Sequence, residues 1–494
     1  MHTTDRFAPI RALMMTDVYK LGHIEQYRLA GTPEIVYSNW TNRGSRIDGV
    51  DHVVHFGLQA FLIKLGDWFA PFFAADEDLV CELYEERLAQ ILGPNTIGSD
   101  HIRALHRKGY LPLSFSGVEE GTPVPVRVPS FVFWNTDAEF FWLTNYIETI
   151  VSAEIWQPST SATIARELRR VLDEGAVRTG GDPAAVDWQG HDFSFRGMSS
   201  VETAAASGAG HLLSFSGTDS LPSLDWIERH YGGAYVAGSV PATEHSVMCT
   251  GTSVLGEREM FSRLIDLYPA GIFSVVSDTF DLWTVLTDFL PAMKDRILAR
   301  DGKMVIRPDS GDPVDILCGT AAELGAGTAP AEKGVIELLW DTFGGTVNDA
   351  GFKVLDSHIG AIYGDSINRE RAARIIDRLA AKGFASTNVV FGVGSFTYQF
   401  NTRDTFMSAV KATWAQVDGV GYDLQKDPVT DGGTKKSARG RLAVTRDGYG
   451  ALRLIEQATP ADEAASELQP VWADGEFVRT QTFAEVREVL AAAK

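Results

Sequence analysis

Cysteine is scarce, with Cys81, Cys249 and Cys318 the only three in 494 residues. They are widely separated and odd in number, which excludes a disulfide framework and a CxxC metal knuckle and points to a reducing cytoplasm. Basic residues are also in short supply, 44 Lys and Arg against 65 Asp and Glu, for a net charge of −21. That balance disfavours nucleic acid as a partner and disfavours attachment to an anionic membrane. No run of about 18 uncharged apolar residues occurs, so no transmembrane helix is expected. The first fifteen residues carry Asp5, Arg6 and Arg11 among apolar neighbours and lack the core of a secretory signal. Short-period repeats and long low-complexity linkers are missing as well.

What the chain does have is apolar mass, 45% hydrophobic and 10% aromatic residues, ample for one large core or two coupled ones. From about residue 160 a unit recurs: a short apolar run, a polar Gly/Ser/Asp loop, then usually a helical pattern. Instances begin at 212–215, 273–276, 304–306, 361–363 and 389–391. Between the last two, residues 369–382 place Ala372, Ile375, Ile376 and Leu379 on one helical face, with Gly383 suited to the C-terminal cap. Apolar strands whose following loops carry the polar residues suggest an irregular parallel β/α barrel over residues 151–399, with an open doubly wound sheet as the alternative. The flanks differ. Residues 1–150 mix aromatic-rich helical segments (56–69, 140–150) with a Pro/Val strand passage at 122–133, and residues 400–494 combine strand alternation at 439–445 with a terminal helix at 483–493. Both ends are expected to form one flanking α+β domain.

Several blocks then stand in one order along the chain: Thr16-Asp17-Val18-Tyr19-Lys20, Trp142-Leu143-Thr144-Asn145, His191-Asp192-Phe193-Ser194-Phe195-Arg196-Gly197, Ser239-Val240-Pro241-Ala242-Thr243-Glu244-His245-Ser246, Ser274-Val275-Val276-Ser277-Asp278, Ile306-Arg307-Pro308-Asp309-Ser310-Gly311 and Lys426-Asp427-Pro428-Val429. Each is short, but in this order and over nearly the whole chain they resemble the signature blocks of the nicotinamide phosphoribosyltransferases, a type II phosphoribosyltransferase family. The resemblance implies transfer of phosphoribosyl from phosphoribosyl pyrophosphate to nicotinamide, with nicotinamide mononucleotide and pyrophosphate as products. Such a reaction leaves little covalent work to the protein. A weakly nucleophilic ring nitrogen must be held in line, phosphate charge neutralised and water kept out.

By resemblance, Phe193 and Tyr19 are the two faces of a clamp on the aromatic base, Asp219 accepts a hydrogen bond from its carboxamide, and Ser274 serves the same amide. Arg196 and Arg307, with Arg43, Arg403 and Lys411, match phosphate-contacting positions, for which guanidinium forks are suited. Gly364, Gly394 and the neighbouring Ser395 fit loops that approach the 5′-phosphate closely. Asp309 and Asp365 would steer ribose hydroxyls or a Mg²⁺ carried on the pyrophosphate, with no direct protein ligand set for the metal. His245 matches a histidine phosphorylated by ATP, oriented by Asp278 and assisted by Glu244. A homodimer with shared active sites is implied as well. Taken singly, each residue has a plainer reading: a core aromatic for Phe193, a helix N-cap for Asp219, surface charge for the arginines, a turn for Asp309.

Two departures stand out: Ser395 where glycine is expected, and Ala409, beside Ser408, where some relatives carry a phosphate-contacting serine. Three competing readings remain at this level. They are a nicotinate phosphoribosyltransferase, disfavoured by Asp219; a barrel lyase using a Schiff-base lysine such as Lys353; and a non-catalytic dimeric binding protein on the same scaffold.

Overall fold

The computed structural model describes residues 5–364, 366–428, 430 and 436–493, and places them in two compact units. The first unit comprises Met1–Thr163, Ile227–Gly233 and Asn401–Lys494; the second comprises Ile164–Trp226 and Ala234–Phe400.

In the first unit both chain ends build one seven-stranded sheet. Its strand Pro33–Asn42 lies between Pro129–Asn135 and Ser408–Val417, antiparallel to both, with Asn39 opposite Lys411. This pairing across some 370 residues is what brings basic residues of the two ends together. The aromatic helical segments expected at 56–69 and 140–150 are helices Leu58–Ala74 and the beginning of Phe141–Thr179. Their apolar faces cover the sheet in a core that includes Phe61, Leu65, Phe115, Phe131, Phe133 and Trp142. Helix Phe483–Ala492 starts on a reciprocal cap between Thr482 and Glu485, which satisfies N–H groups that the first turn leaves unpaired.

The second unit is a curled, all-parallel sheet of six strands in the order Gly217–Thr218, Gly190–Asp192, Val389–Val393, Ile359–Tyr363, Met304–Arg307, Phe273–Val276. Its strands Phe273–Val276 and Ile359–Tyr363 are buried at every residue, as parallel strands covered on both faces must be. Helix Arg369–Ala381 buries Ala372, Ile375, Ile376 and Leu379, is capped by the Asn368 side chain, and hands over to Gly383 at φ +74°. The sheet's two edges are joined by segment 238–243. Gly238 bridges to Gly217 and Ala242 to Ser274, with Thr218 N–H donating to the Gly238 carbonyl (3.1 Å) and Thr243 N–H to the Ser274 carbonyl (3.0 Å). An irregular stave thus completes the ring that regular strands leave open.

One expected strand is displaced. The apolar run 212–215 is the largely buried turn that follows helix Val201–His211, and the strand is Gly217–Thr218 instead. A short run with three apolar residues in four suits a buried turn as well as a strand. The sheet edge takes glycine because a Cβ at Gly217 would stand 2.6 Å from His191 Nδ1.

Candidate active site

The carboxyl ends of the parallel strands carry the polar residues, which is where barrels of this kind assemble their sites. Strand Gly190–Asp192 runs into Phe193, and Gly217–Thr218 into Asp219. Phe273–Val276 holds Ser274 and leads to Asp278, Met304–Arg307 leads to Asp309, and Ile359–Tyr363 and Val389–Val393 end at Gly364 and Gly394. Asp365 lies outside the described residues.

Three groups of contacts define this end of the ring. In the first, Asp219 Oδ1 accepts from His191 Nε2 at 2.9 Å and from Ser239 Oγ at 2.5 Å. Burial by itself would raise the Asp219 pKa, but the hydrogen bond and charge of His191, the Ser239 hydroxyl and the charge of Arg307 outweigh it and hold the carboxyl below its ordinary value. In the second, the Phe193 ring stands 4.8 Å from the His191 ring, and the Arg307 guanidinium carbon lies 4.9 Å from the Phe193 ring centre. Gly392 lets that ring in, since a Cβ there would approach Phe193 Cδ2 to 2.5 Å. In the third, His245 Nε2 lies 3.6 Å from Asp278 Oδ1 and 3.8 Å from Asp309 Oδ1. Asp278 Oδ2 accepts from the Asp309 and Ser310 N–H groups, both at 2.9 Å, and from Ser310 Oγ at 2.6 Å, so this carboxylate pins the loop after Arg307. Burial, and then the neighbouring Asp278 charge, raise the Asp309 pKa against the opposing pull of His245 and Arg307.

Among the described residues, Ser274 Oγ, Asp278 Oδ1 and Arg307 Nε are buried with no hydrogen-bond partner. Buried polar atoms left unpaired are costly, so three of them on two neighbouring strands and the loop after one of them are open to a polar ligand. Ligand atoms of His245, Asp278 and Asp309 all lie within 4.8 Å of one another. The set does not fit a resident Mg²⁺: one of the three is an imidazole, Asp278 Oδ2 already has three donors, and Mg²⁺ seeks a near-octahedral shell of oxygens. At 3.6 and 3.8 Å the two carboxylates face the imidazole at ion-pair distance.

Glu244 occupies the N-cap position of helix His245–Leu255 and accepts from the Ser246 hydroxyl. Arg196 is exposed on the turn Phe195–Gly197. The departure at Ser395 has a local cause: a Cβ at Gly197 would lie 2.0 Å from Ser395 Oγ, so the serine fits because residue 197 has no side chain. Gly364 packs under Arg307 and Asp309, where a Cβ would come within 3.0 Å of Arg307 Nε.

The remaining expected site residues lie in the first unit. Tyr19 is 63% exposed, and its hydroxyl donates to Asp17 at 3.2 Å. Arg43 Nε donates to the Met407 carbonyl (3.2 Å), Arg403 pairs with Asp404 (3.3 Å), and Lys411 Nζ donates to the Val410 carbonyl (2.8 Å). Burial lowers the Lys411 pKa; Glu148 opposes that, whereas the charges of Arg43, Lys426 and Arg403 lower it further. These four cations form a local positive field in a chain of net charge −21. Ser408 does not stand in for the missing serine at 409, because its hydroxyl donates to Asn42 at 2.6 Å. His191, Ser239, Ser310 and Lys426 carry no role in the sequence reading. All four fall inside the quoted blocks, which is the signal that could have found them.

The family model of the nicotinate phosphoribosyltransferase (NAPRTase) family matches residues 188–476. A nicotinamide phosphoribosyltransferase of Acinetobacter baylyi is 49% identical, covering 98% of this chain and 97% of that protein. Its namesake in Xanthomonas campestris pv. campestris is 35% identical over 98% of both, and that of Mycoplasma pneumoniae is 34% identical over 88% of this chain and 95% of the relative. Among solved structures, a nicotinate-nucleotide pyrophosphorylase from Pyrococcus furiosus superposes with a TM-score of 0.59 at 15% identity, covering 99% of this chain and 96% of that one. The human nicotinic acid phosphoribosyltransferase does so with a TM-score of 0.54 at 15% identity, covering 97% and 93%. These two establish the shared fold, and the family model and the sequence relatives establish more: the chain belongs to the nicotinate phosphoribosyltransferase family, and relatives of 34–49% identity to it are named nicotinamide phosphoribosyltransferases.

Proposed function

We propose that this chain is a pentosyltransferase that moves phosphoribosyl from phosphoribosyl pyrophosphate to nicotinamide, a step of NAD salvage. The observation that carries the reading is Asp219. A carboxylate kept ionised and bonded to the His191 ring, which itself packs against Phe193, accepts a hydrogen bond from an amide N–H and repels a carboxylate, so it favours nicotinamide over nicotinate. In the reaction the pyridine nitrogen lone pair forms the bond to the anomeric carbon while the C–O bond to pyrophosphate breaks and its electron pair leaves with the pyrophosphate. Phe193 orients the ring, Ser274 and Asp219 meet its amide, Arg307 and Arg196 face the phosphates, and Asp309 meets the ribose. Gly364, Gly394 and Ser395 frame the 5′-phosphate. Mg²⁺ arrives on the pyrophosphate as part of the substrate.

ATP is the second co-substrate in this reading. His245 attacks the γ-phosphate, its bond to ADP breaks, and the phosphohistidine favours productive binding of phosphoribosyl pyrophosphate. The imidazole nitrogen facing away from Asp278 and Asp309 is the one free to attack. The chain works as a homodimer in which Tyr19 and Arg43 of the partner subunit complete each site, with Arg403 and Lys411 as further phosphate contacts; the resemblance supports this, and so does the exposure of Tyr19. No helix among the described residues is long and apolar enough to cross a membrane, and a cytoplasmic setting accords with three unpaired cysteines.

The test is to incubate the protein with phosphoribosyl pyrophosphate, Mg²⁺ and either nicotinamide or nicotinate, with and without ATP, and to identify the product. Nicotinamide mononucleotide, formed faster with ATP, is expected. Exclusive use of nicotinate would replace the reading with its nearest competitor, and no product from either base would end it.

A further inference from the structure

Asp192 touches no atom of the proposed reaction, yet it is fully buried. Its Oδ1 accepts from the Ser194 N–H at 2.9 Å and from Ser194 Oγ at 2.7 Å, and its Oδ2 accepts from Thr218 Oγ1 at 3.2 Å. Its main-chain carbonyl accepts from the Asp219 N–H at 3.0 Å. Among the described residues no lysine or arginine pairs with it. A buried carboxylate without a cation is expensive to keep, and hydrogen-bond donors are what make it tolerable. Helix Val201–His211 closes over it through Gly208, where a Cβ would lie 2.8 Å from Asp192 Oδ2, so neither a longer acid at 192 nor a side chain at 208 has room.

The residues it ties down are informative. Ser194 follows Phe193, and Thr218 precedes Asp219. One carboxylate therefore spans two neighbouring parallel strands and fixes the aromatic wall relative to the amide-reading acid. We propose that Asp192 is a positioning residue for base recognition: it sets the spacing between the Phe193 ring and the Asp219 carboxylate and so governs both nicotinamide affinity and the preference for an amide over an acid. This rests on the base-binding role given to those two residues above.

The test compares wild type with Asp192→Asn, which keeps the shape but replaces one acceptor oxygen by a donor NH₂, and with Thr218→Val, which removes the hydroxyl on the far strand. In Asp192→Asn the KM for nicotinamide should rise about tenfold, the KM for phosphoribosyl pyrophosphate should stay within about twofold, and the preference for nicotinamide over nicotinate should narrow. Thr218→Val should move both base readouts in the same direction, and the double variant should be no worse than Asp192→Asn alone, because both remove one shared interaction. A residue that merely supported the fold would lower the thermal midpoint and depress turnover of every substrate without moving the base preference. Unchanged nicotinamide KM and base preference in Asp192→Asn overturn the proposal, as do penalties that multiply in the double variant. Should Asp192→Asn fail to fold, Thr218→Val decides alone, and an unchanged nicotinamide KM there is equally fatal. If the wild type proves to use nicotinate, the function proposed above falls by itself, and the same comparison on the nicotinate KM still decides the role of Asp192.

Discussion

His191 Nε2 stands 2.9 Å from Asp219 Oδ1, and Ser239 Oγ reaches the same oxygen. With Oδ1 doubly engaged, Oδ2 is the oxygen left to face a ligand. The contact links three segments of the chain, since His191 lies 28 residues before Asp219 and Ser239 lies 20 after it.

Replacing Asp219 by Asn or Ser should shift preference from nicotinamide toward nicotinate. Removing the charge, which repels a carboxylate and strengthens the hydrogen bond from an amide, is worth about 1–3 kcal/mol, roughly 10–100-fold in the ratio of kcat/KM values. The pH dependence follows from the sign of the shift. The folded pKa of Asp219 lies below its ordinary value, so the carboxylate stays charged above that value and loses charge only as pH falls through the lowered pKa. Wild-type preference should thus be flat from about pH 5.5 to 9, a range well above the ordinary aspartate value. A preference that collapses by about pH 6 would show that ionised Asp219 does not set it.

Substitution of Gly392 is predicted to be costly for a steric reason. A methyl group there must displace the Phe193 ring or the Tyr363 carbonyl, which lie 2.5 and 2.8 Å from its position. Gly392→Ala should cost about 1–3 kcal/mol of stability by overpacking and raise the nicotinamide KM. Thermal unfolding and base-dependent kinetics measured on the same preparation check both parts.

His245→Ala should abolish ATP hydrolysis and ATP stimulation and leave only slow mononucleotide synthesis. Full ATP stimulation in the variant would remove the phosphohistidine from the mechanism. Mass spectrometry of the wild type after exposure to ATP, kept at neutral or alkaline pH because phosphohistidine is acid-labile, gives an independent readout.

Away from the site, Lys382 and Glu337 form an ion pair at 2.9 Å with side chains only 1% and 2% exposed. Lys382→Met should destabilise the chain by about 3–5 kcal/mol because Glu337 is left buried and charged, whereas Lys382→Met with Glu337→Leu should recover most of the loss. Chemical denaturation of the two variants distinguishes these outcomes.

Shared sites predict complementation between inactive copies. Tyr19→Ala and Asp219→Ala homodimers should each be weak, and re-equilibrated mixtures should regain roughly a quarter of wild-type activity, since half the dimers are mixed and each holds one intact site of two. Proven subunit exchange without recovery, or a fully active monomer in sedimentation, would rule out shared sites.

Much of the ring was legible beforehand. Strands Phe273–Val276, Met304–Arg307, Ile359–Tyr363 and Val389–Val393 contain the apolar runs at 273–276, 304–306, 361–363 and 389–391, which show because parallel strands covered on both faces need no polar alternation. Helix Arg369–Ala381 announced itself by periodicity and by the glycine after it. The run at 212–215 misled because burial looks alike in a turn and a strand. Segment 238–243 was invisible as a stave, since single-residue bridges such as Gly217 to Gly238 and Ala242 to Ser274 leave no periodic trace.

The sequence by itself determined the family, through blocks whose order no local rule produces by chance, and it determined which residue types stand at the strand ends. Only the tertiary structure decided how those residues use their atoms. Ser239 and His191 converge on one oxygen of Asp219, Asp278 commits one oxygen to the loop at 309–310 and leaves the other toward His245, and Ser408 is claimed by Asn42. The reason is physical: hydrogen bonds and close contacts depend on distances of tenths of an ångström between residues far apart along the chain, and those distances exist only once the strands are in register.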